Sequence, residues 1–201
     1  MKHDYRSLIL AAGEKFRLIP FDVSFSESLV EAIEESRDEL ACWTNWYHAD
    51  YSPQVSRSWL EGRERSRFEG HSYDFAVTDA GTGDLVGGCT IDRIQADCRL
   101  GNVWYWTRSS RTNEGAASAA TAALASFGLS RLHLVRLEII VPEANFTAQR
   151  VAEKIGALRE ARLKNRMIIN EGLQAAYLFS LLGSIEKPEP EPDPNWVKVK
   201  V

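Results

Sequence analysis

The sequence predicts a mixed α/β fold: a mostly antiparallel central sheet flanked by helices on both faces. Three observations carry that reading. Residues 72–108 hold three successive segments in which apolar and polar residues alternate, the period of a half-buried strand. Residues 109–156 then run polar loop, Ala-rich helix, apolar strand, helix, the order of a βαβ unit. Two further segments, 159–169 and 174–182, follow around Asn170-Glu171-Gly172, a turn signal that returns the chain to the sheet. Antiparallel strands followed by a βαβα unit and closing strands fit a single mixed sheet covered on both sides.

Taken in chain order, Lys15 to Pro20 alternates and reads as the first strand. Asp22 to Leu40 places Leu29, Ile33 and Leu40 near one helical face with acids opposite on a solvated face, so one amphipathic helix is expected, capped by Ser24 or Ser26. An aromatic loop from Cys42 to Ser52 follows. Ser52-Pro53 should open a second helix, because proline suits a first turn. Ser72–Thr78 and Leu85–Ile94 form a hairpin about Gly81-Thr82-Gly83-Asp84. Gly87 and Gly88 inside the second strand signal a bulge or close packing. Leu100–Arg108 is an aromatic strand and residues 135–141 are a buried one; the helix after it stops at Gly156.

The chain has 201 residues, 44% hydrophobic and 26% charged, which suits one globular domain. We read residues 1–13 as a flexible lead-in, 14–183 as the domain and 184–201 as a Pro- and acid-rich extended tail. A net charge of -4 provides no global field for nucleic acid. No apolar run approaches the roughly 18 residues of a membrane span, and Leu8–Ala12 is too short for a secretion signal core. Three cysteines (42, 89, 98) without a CxxC suggest reduced thiols and a cytoplasmic location. Four histidines (3, 48, 71, 133) without an HExxH suggest no metal. A homodimer is left open.

Residues 106–121 (WTRSSRTNEGAASAAT) join a strand to a helix made of small residues. Backbone N–H groups at a helix N-terminus form an anion site. Small side chains at 115–119 would let a pyrophosphate approach, with Ser109, Arg111 and Thr112 as side-chain donors. The same stretch also describes an ordinary loop before an Ala-rich packing helix. It is neither a Walker loop nor a GxGxxG fingerprint.

Four pieces in order resemble the GNAT superfamily of N-acetyltransferases, and in it the ribosomal-protein N-terminal acetyltransferase branch, the RimJ/RimL type. Trp43-x-x-Trp46-x-His48 resembles the W-x-x-W-x-H loop of this branch. Tyr105-Trp106 resembles the YW pair before the pyrophosphate loop, and Thr112-Asn113-Glu114-Gly115-Ala116-Ala117 resembles the motif Q/R-x-x-G-x-G/A, with Thr at its first position. Asn145 to Gly156 resembles N-x-x-S-x-x-V-A-E-K-x-G, with Ala148 for Ser. The closing strand with Phe179-Ser180-Leu181 also fits.

The resemblance implies acetyl-CoA as cosubstrate and direct acetyl transfer to an amine, without an acyl-enzyme. It implies a pantetheine arm paired to the backbone of Trp106, Thr107 and Arg108. Phosphates would lie on Arg111 to Ser118, that is Arg111, Thr112, Asn113, Glu114, Gly115, Ala116, Ala117 and Ser118, with Asn145 near the arm or acting as a helix cap. Glu138 is the general-base candidate, with Asn102 and His48 as further catalytic candidates. The tyrosine that many members carry on the last helix is absent, Ala152 standing in its place. Trp43, Trp46, Tyr47 and Asn165 are the acceptor-binding candidates. The acceptor implied is a protein N-terminal α-amine, such as that of a ribosomal protein. The alternatives are a small-molecule amine or a non-catalytic acyl-CoA sensor.

Overall fold

Strand-period segments, helix caps and two left-handed glycine stops produce thirteen regular elements in the computed structural model, whose described residues are 8–44, 46–47 and 51–183. These are β1 (Leu10–Ala12), β2 (Phe16–Pro20), α1 (Ser26–Glu35), α2 (Arg37–Trp43), α3 (Pro53–Glu69), β3 (Tyr73–Asp79), β4 (Leu85–Gln95) and β5 (Leu100–Thr107). They continue with α4 (Ala116–Ser130), β6 (Arg136–Pro142), α5 (Phe146–Lys154), β7 (Leu158–Ile169) and β8 (Gly172–Leu182). All eight strands form one sheet, in the order β1-β2-β3-β4-β5-β6-β8-β7. Every neighbouring pair is antiparallel except β5–β6.

Two hydrophobic cores sit on opposite faces. On one, α4 and α5 cover Phe75, Val77, Ile91, Val103, Leu137 and Phe179. On the other, α1 and α3 cover Phe21, Ala76 and Leu85 with Leu29, Ile33 and Leu60. Each large side chain so buried contributes about 1.5–3 kcal/mol. Alternation decides which residues go where: Val103 faces α4, whereas Asn102 and Trp104 face the other side.

Several local readings are corrected by packing. The first helix breaks at Ser36, which is fully buried and donates its hydroxyl to the Ala32 carbonyl at 2.7 Å. Neither Ser24 nor Ser26 caps it. Asp22 instead accepts from the Ser24 N–H at 2.8 Å and opens a 3-10 turn that leads into α1. Residues 10–12, placed in the lead-in by sequence, add an edge strand against β2. Gly87 and Gly88 are sites of close packing. A Cβ on Gly88 would stand 2.6 Å from the Trp106 indole nitrogen, and one on Gly87 would stand 2.2 Å from the Trp106 carbonyl. Gly88 therefore leaves room for the Trp106 indole and Gly87 for the Trp106 backbone, near the end of β5. The expected tail and most of the lead-in fall outside the described residues.

Candidate active site

The parallel pair creates the site. β5 and β6 pair at Leu100–Arg136, Gly101–Leu137 and Asn102–Glu138 and nowhere beyond. From there β5 runs on to Thr107 bonded to β4, and β6 runs on to Pro142 bonded to β8. The inner edges of both strands are thus left without each other as partners. Backbone donors and acceptors so exposed can take an extended chain as an added strand. The Tyr105 hydroxyl crosses toward α5 and donates to the Ala148 carbonyl at 2.8 Å. Burial pushes its phenol pKa up.

At the end of β5 the chain makes a 3-10 turn, Ser109–Arg111, and reaches α4 through two left-handed residues, Asn113 (φ 64°) and Gly115 (φ 87°). Glycine adopts that conformation at no steric cost. The Gly115 carbonyl accepts the N–H of Ala119 at 3.0 Å. The N–H groups of Ala116, Ala117 and Ser118 therefore precede the first intrahelical bond. No side chain caps this terminus, and a Cβ at Gly115 would meet nothing within 4 Å. An open, donor-rich helix start at the mouth of the wedge suits a diphosphate.

The loop's own side chains point elsewhere. Arg111 was expected to donate to phosphate, but its guanidinium bonds Asp79 at 2.8 Å and Glu114 at 2.8 and 2.9 Å. Those acids raise its pKa and hold the charge in place. Arg108 reaches Glu31 at 3.0 Å and Glu35. The Thr112 hydroxyl bonds the Ser109 carbonyl at 3.1 Å inside the loop. The backbone is what remains for a ligand.

The helix break explains how the loop is held. Ser36 Oγ accepts the Ser109 N–H at 3.0 Å, Glu35 accepts the Ser110 N–H at 2.8 Å, and Glu39 accepts the Ser109 hydroxyl at 2.8 Å. Burial works to raise the Glu35 pKa, but hydrogen bonds from Ser110 and Arg108 outweigh it and hold the carboxyl below its usual range. Part of the acidic face expected to be merely solvated is therefore a clamp on this loop.

The sheet face opposite α4 and α5 carries the polar residues. Asp92, Asn102 and Glu138 lie side by side across β4, β5 and β6, because Asp92 pairs with Asn102 and Asn102 with Glu138. The Asn102 amide donates to Asp92 at 3.1 Å. Glu138 accepts from Arg136 at 2.8 Å, and Arg136 also holds Glu160 at 2.6 and 3.0 Å. Trp104 follows Asn102 on this face, and the Trp46 ring lies 6.3 Å from it. Trp46 and Tyr47 pack on the α1–α3 core. The tip of the β7–β8 hairpin returns over this side, Asn170 donating to the Ala41 carbonyl of α2 at 3.2 Å.

The sequence model of the acetyltransferase (GNAT) domain matches residues 18–158. The chain belongs to the GNAT acetyltransferase family. YdaF of Bacillus subtilis (strain 168), provisionally named a ribosomal N-acetyltransferase, is 23% identical over 160 residues, covering 78% of this chain and 85% of that protein. The fold is shared with a ribosomal-protein-S5-alanine acetyltransferase from Vibrio fischeri: TM-score 0.82, 18% identity, 90% of this chain and 100% of that one. It is shared also with Mycobacterium smegmatis RimJ in complex with CoA-disulfide: TM-score 0.76, 22% identity, 87% and 86% covered.

As a GNAT acetyltransferase, the protein is an enzyme that uses acetyl-CoA. The wedge between β5 and β6 and the uncapped start of α4 are where its backbone groups are open to a ligand. The remaining sequence candidates are placed as follows. Asn145 is a helix cap, its side-chain oxygen accepting the Ala148 N–H at 3.0 Å. Asn165 sits at positive φ where β7 loses register with β8, on the exposed edge strand, and does not converge with the other candidates. Trp43 is half-buried at the end of α2. His48 lies outside the described residues. Glu138 is on the right face but is engaged by Arg136. Asp92 was missed by sequence reasoning. Its only signal was an acid two residues past Thr90 in an alternating strand, and strand pairing alone sets it opposite Asn102, itself a candidate from sequence. Among the described residues no group of three or more His, Cys, Asp or Glu could hold a metal, and no helix is long and apolar enough to cross a membrane.

Proposed function

We propose that the protein acetylates the free α-amine of a protein N-terminus, with a ribosomal protein as the favoured acceptor, in the cytoplasm. The observation that carries this reading is the row Asp92-Asn102-Glu138 at the closed end of the wedge, beside Trp46 and Trp104. Carboxylates there attract a cationic amine, and aromatic walls fit the first residues of a chain. A ribosomal-protein acetyltransferase among the solved structures of the same fold supports the acceptor class by analogy.

On this reading acetyl-CoA enters from the α4–α5 side. Ala116, Ala117 and Ser118 N–H groups hold its diphosphate, and the backbone of Trp106, Thr107 and Arg108 pairs with its pantetheine. The thioester then faces the acceptor side, where the amine attacks directly. The test is thiol release from acetyl-CoA with peptides bearing a free Ser or Ala N-terminus, the same peptides N-blocked, spermidine and an aminoglycoside. Turnover of free-terminus peptides alone is expected. Robust turnover of spermidine or the aminoglycoside with none on peptides overturns the N-terminal reading and leaves a small-molecule acetyltransferase.

A further inference from the structure

We propose that Asp92, rather than Glu138, accepts the proton from the attacking amine. This rests on the reading that the face beside Trp104 receives the acceptor.

Geometry makes the distinction. Both carboxylates flank Asn102 on the same face, one strand away on either side. The wedge opens between β5 and β6 one residue beyond that row, so a thioester carbon arriving there lies about one strand spacing, roughly 5 Å, from the Glu138 strand and about two, roughly 10 Å, from the Asp92 strand, a span that bridging water crosses. Their partners differ. Glu138 is paired with Arg136, whose guanidinium donates to one of its oxygens at 2.8 Å, so that oxygen must leave the ion pair before it can take a proton. Among the described residues Asp92 forms no such ion pair: it accepts from neutral groups, the Asn102 amide and the Trp104 indole.

The other charged groups facing Asp92 act in both directions. Burial raises its pKa most. Asp74, which shares this face through the Asp74–Thr90 pair, raises it further. Arg93, next in the chain, lowers it, as do Asn102 and Trp104. The net shift is upward, toward the range of a working base. The backbone just beyond Asp92 departs from regular pairing: the β4–β5 register shifts between Asp92 and Gln95, with Arg93 at φ 48°. A bulge of this kind re-aims side chains next to a site.

The proton balance is complete. An ammonium group gives one proton to the Asp92 carboxylate, and the freed lone pair forms the C–N bond at the thioester carbonyl. When the tetrahedral intermediate collapses, the C–S bond breaks and its electron pair stays on sulfur. The second proton on nitrogen neutralises that thiolate, and Asp92 releases its own to solvent.

The experiment compares Asp92→Asn, Asp92→Glu and Glu138→Gln, using whichever acceptor the wild type turns over best. Asparagine keeps the shape and can still accept from Asn102 and Trp104, but it takes no proton. Asp92→Asn should lower kcat at least 100-fold and abolish the acidic limb of its pH profile, with acetyl-CoA affinity by calorimetry changed less than threefold. Asp92→Glu should restore part of kcat with a displaced limb. Glu138→Gln should cost less than tenfold and leave the limb in place. An Asp92→Asn enzyme with wild-type kcat and limb overturns the proposal; so does loss of the limb in Glu138→Gln alone. Wild-type inactivity on peptides would instead refute the acceptor class, since the Asp92 comparison stands on any amine that is turned over.

Discussion

Replacing Gly115 tests the phosphate loop, and the choice of replacement separates charge from strain. Gly115 stands at φ 87° with open space where a Cβ would go. A non-glycine residue there costs about 1–2 kcal/mol, less for Asn and Asp, which tolerate the left-handed region. For a domain of this size that lowers Tm by about 2–4 °C per kcal/mol. Gly115→Asn and Gly115→Asp should therefore fold alike. They differ by one negative charge placed where the diphosphate must sit. At about 5 Å, each pair of unit charges repels by about 0.8 kcal/mol at the dielectric of water and about 3 kcal/mol at an effective value near 20. Summed over two phosphates, even the weak limit is about 1.7 kcal/mol, roughly a 15-fold loss of affinity. Calorimetry with acetyl-CoA should show Gly115→Asp binding at least that much more weakly than Gly115→Asn, and the gap should narrow in high salt. Equal affinities for the two variants at low salt would refute the placement of phosphate at this helix start.

Four other perturbations probe the surroundings of the site. Glu35→Gln removes the charge that holds Arg108 and weakens the bond from the Ser110 N–H; acetyl-CoA KM should rise several-fold with acceptor KM unchanged, as steady-state kinetics will show. Trp46→Ala, which strips the ring from Trp104, should do the reverse, raising acceptor KM and sparing acetyl-CoA affinity. Because the folded-state pKa of Asp92 lies above its unfolded value, its protonated form favours folding at low pH and that contribution is lost as pH rises through the folded pKa. Asp92→Asn should thus raise Tm at pH 7 and leave it nearly unchanged at pH 3; an unchanged Tm at pH 7 contradicts the upward shift. Glu160 has the opposite sign, held down to about 2 by Arg136 and Ser180, so Glu160→Gln should lose stability relative to wild type at pH 7 but converge with it between pH 4.5 and 2.

The sequence by itself determined the elements and the loop that joins them. Period-two alternation marks β3, β4 and β5, Ser52-Pro53 marks the start of α3, and Gly156 marks the stop after α5. Each depends on neighbours within a few residues, where sterics and local hydrogen bonding decide. The small residues after Gly115 likewise announced an open helix start, because a backbone site needs only the absence of side chains. Tertiary structure alone decided which side chains the site retains. Arg111 looked like a phosphate donor until folding brought Asp79 beside it, and the acids of α1 and α2 looked solvated until Arg108, Ser109 and Ser110 reached them. Asp92 and Glu138 are equivalent as letters in a sequence. One meets an amide and an indole and the other an arginine only because β4, β5 and β6 pair in this register. The physical reason is range: strand period and capping are set by adjacent residues, whereas a carboxylate's proton affinity is set by whatever charge lies within a few ångströms, and sheet pairing brings that charge from anywhere in the chain.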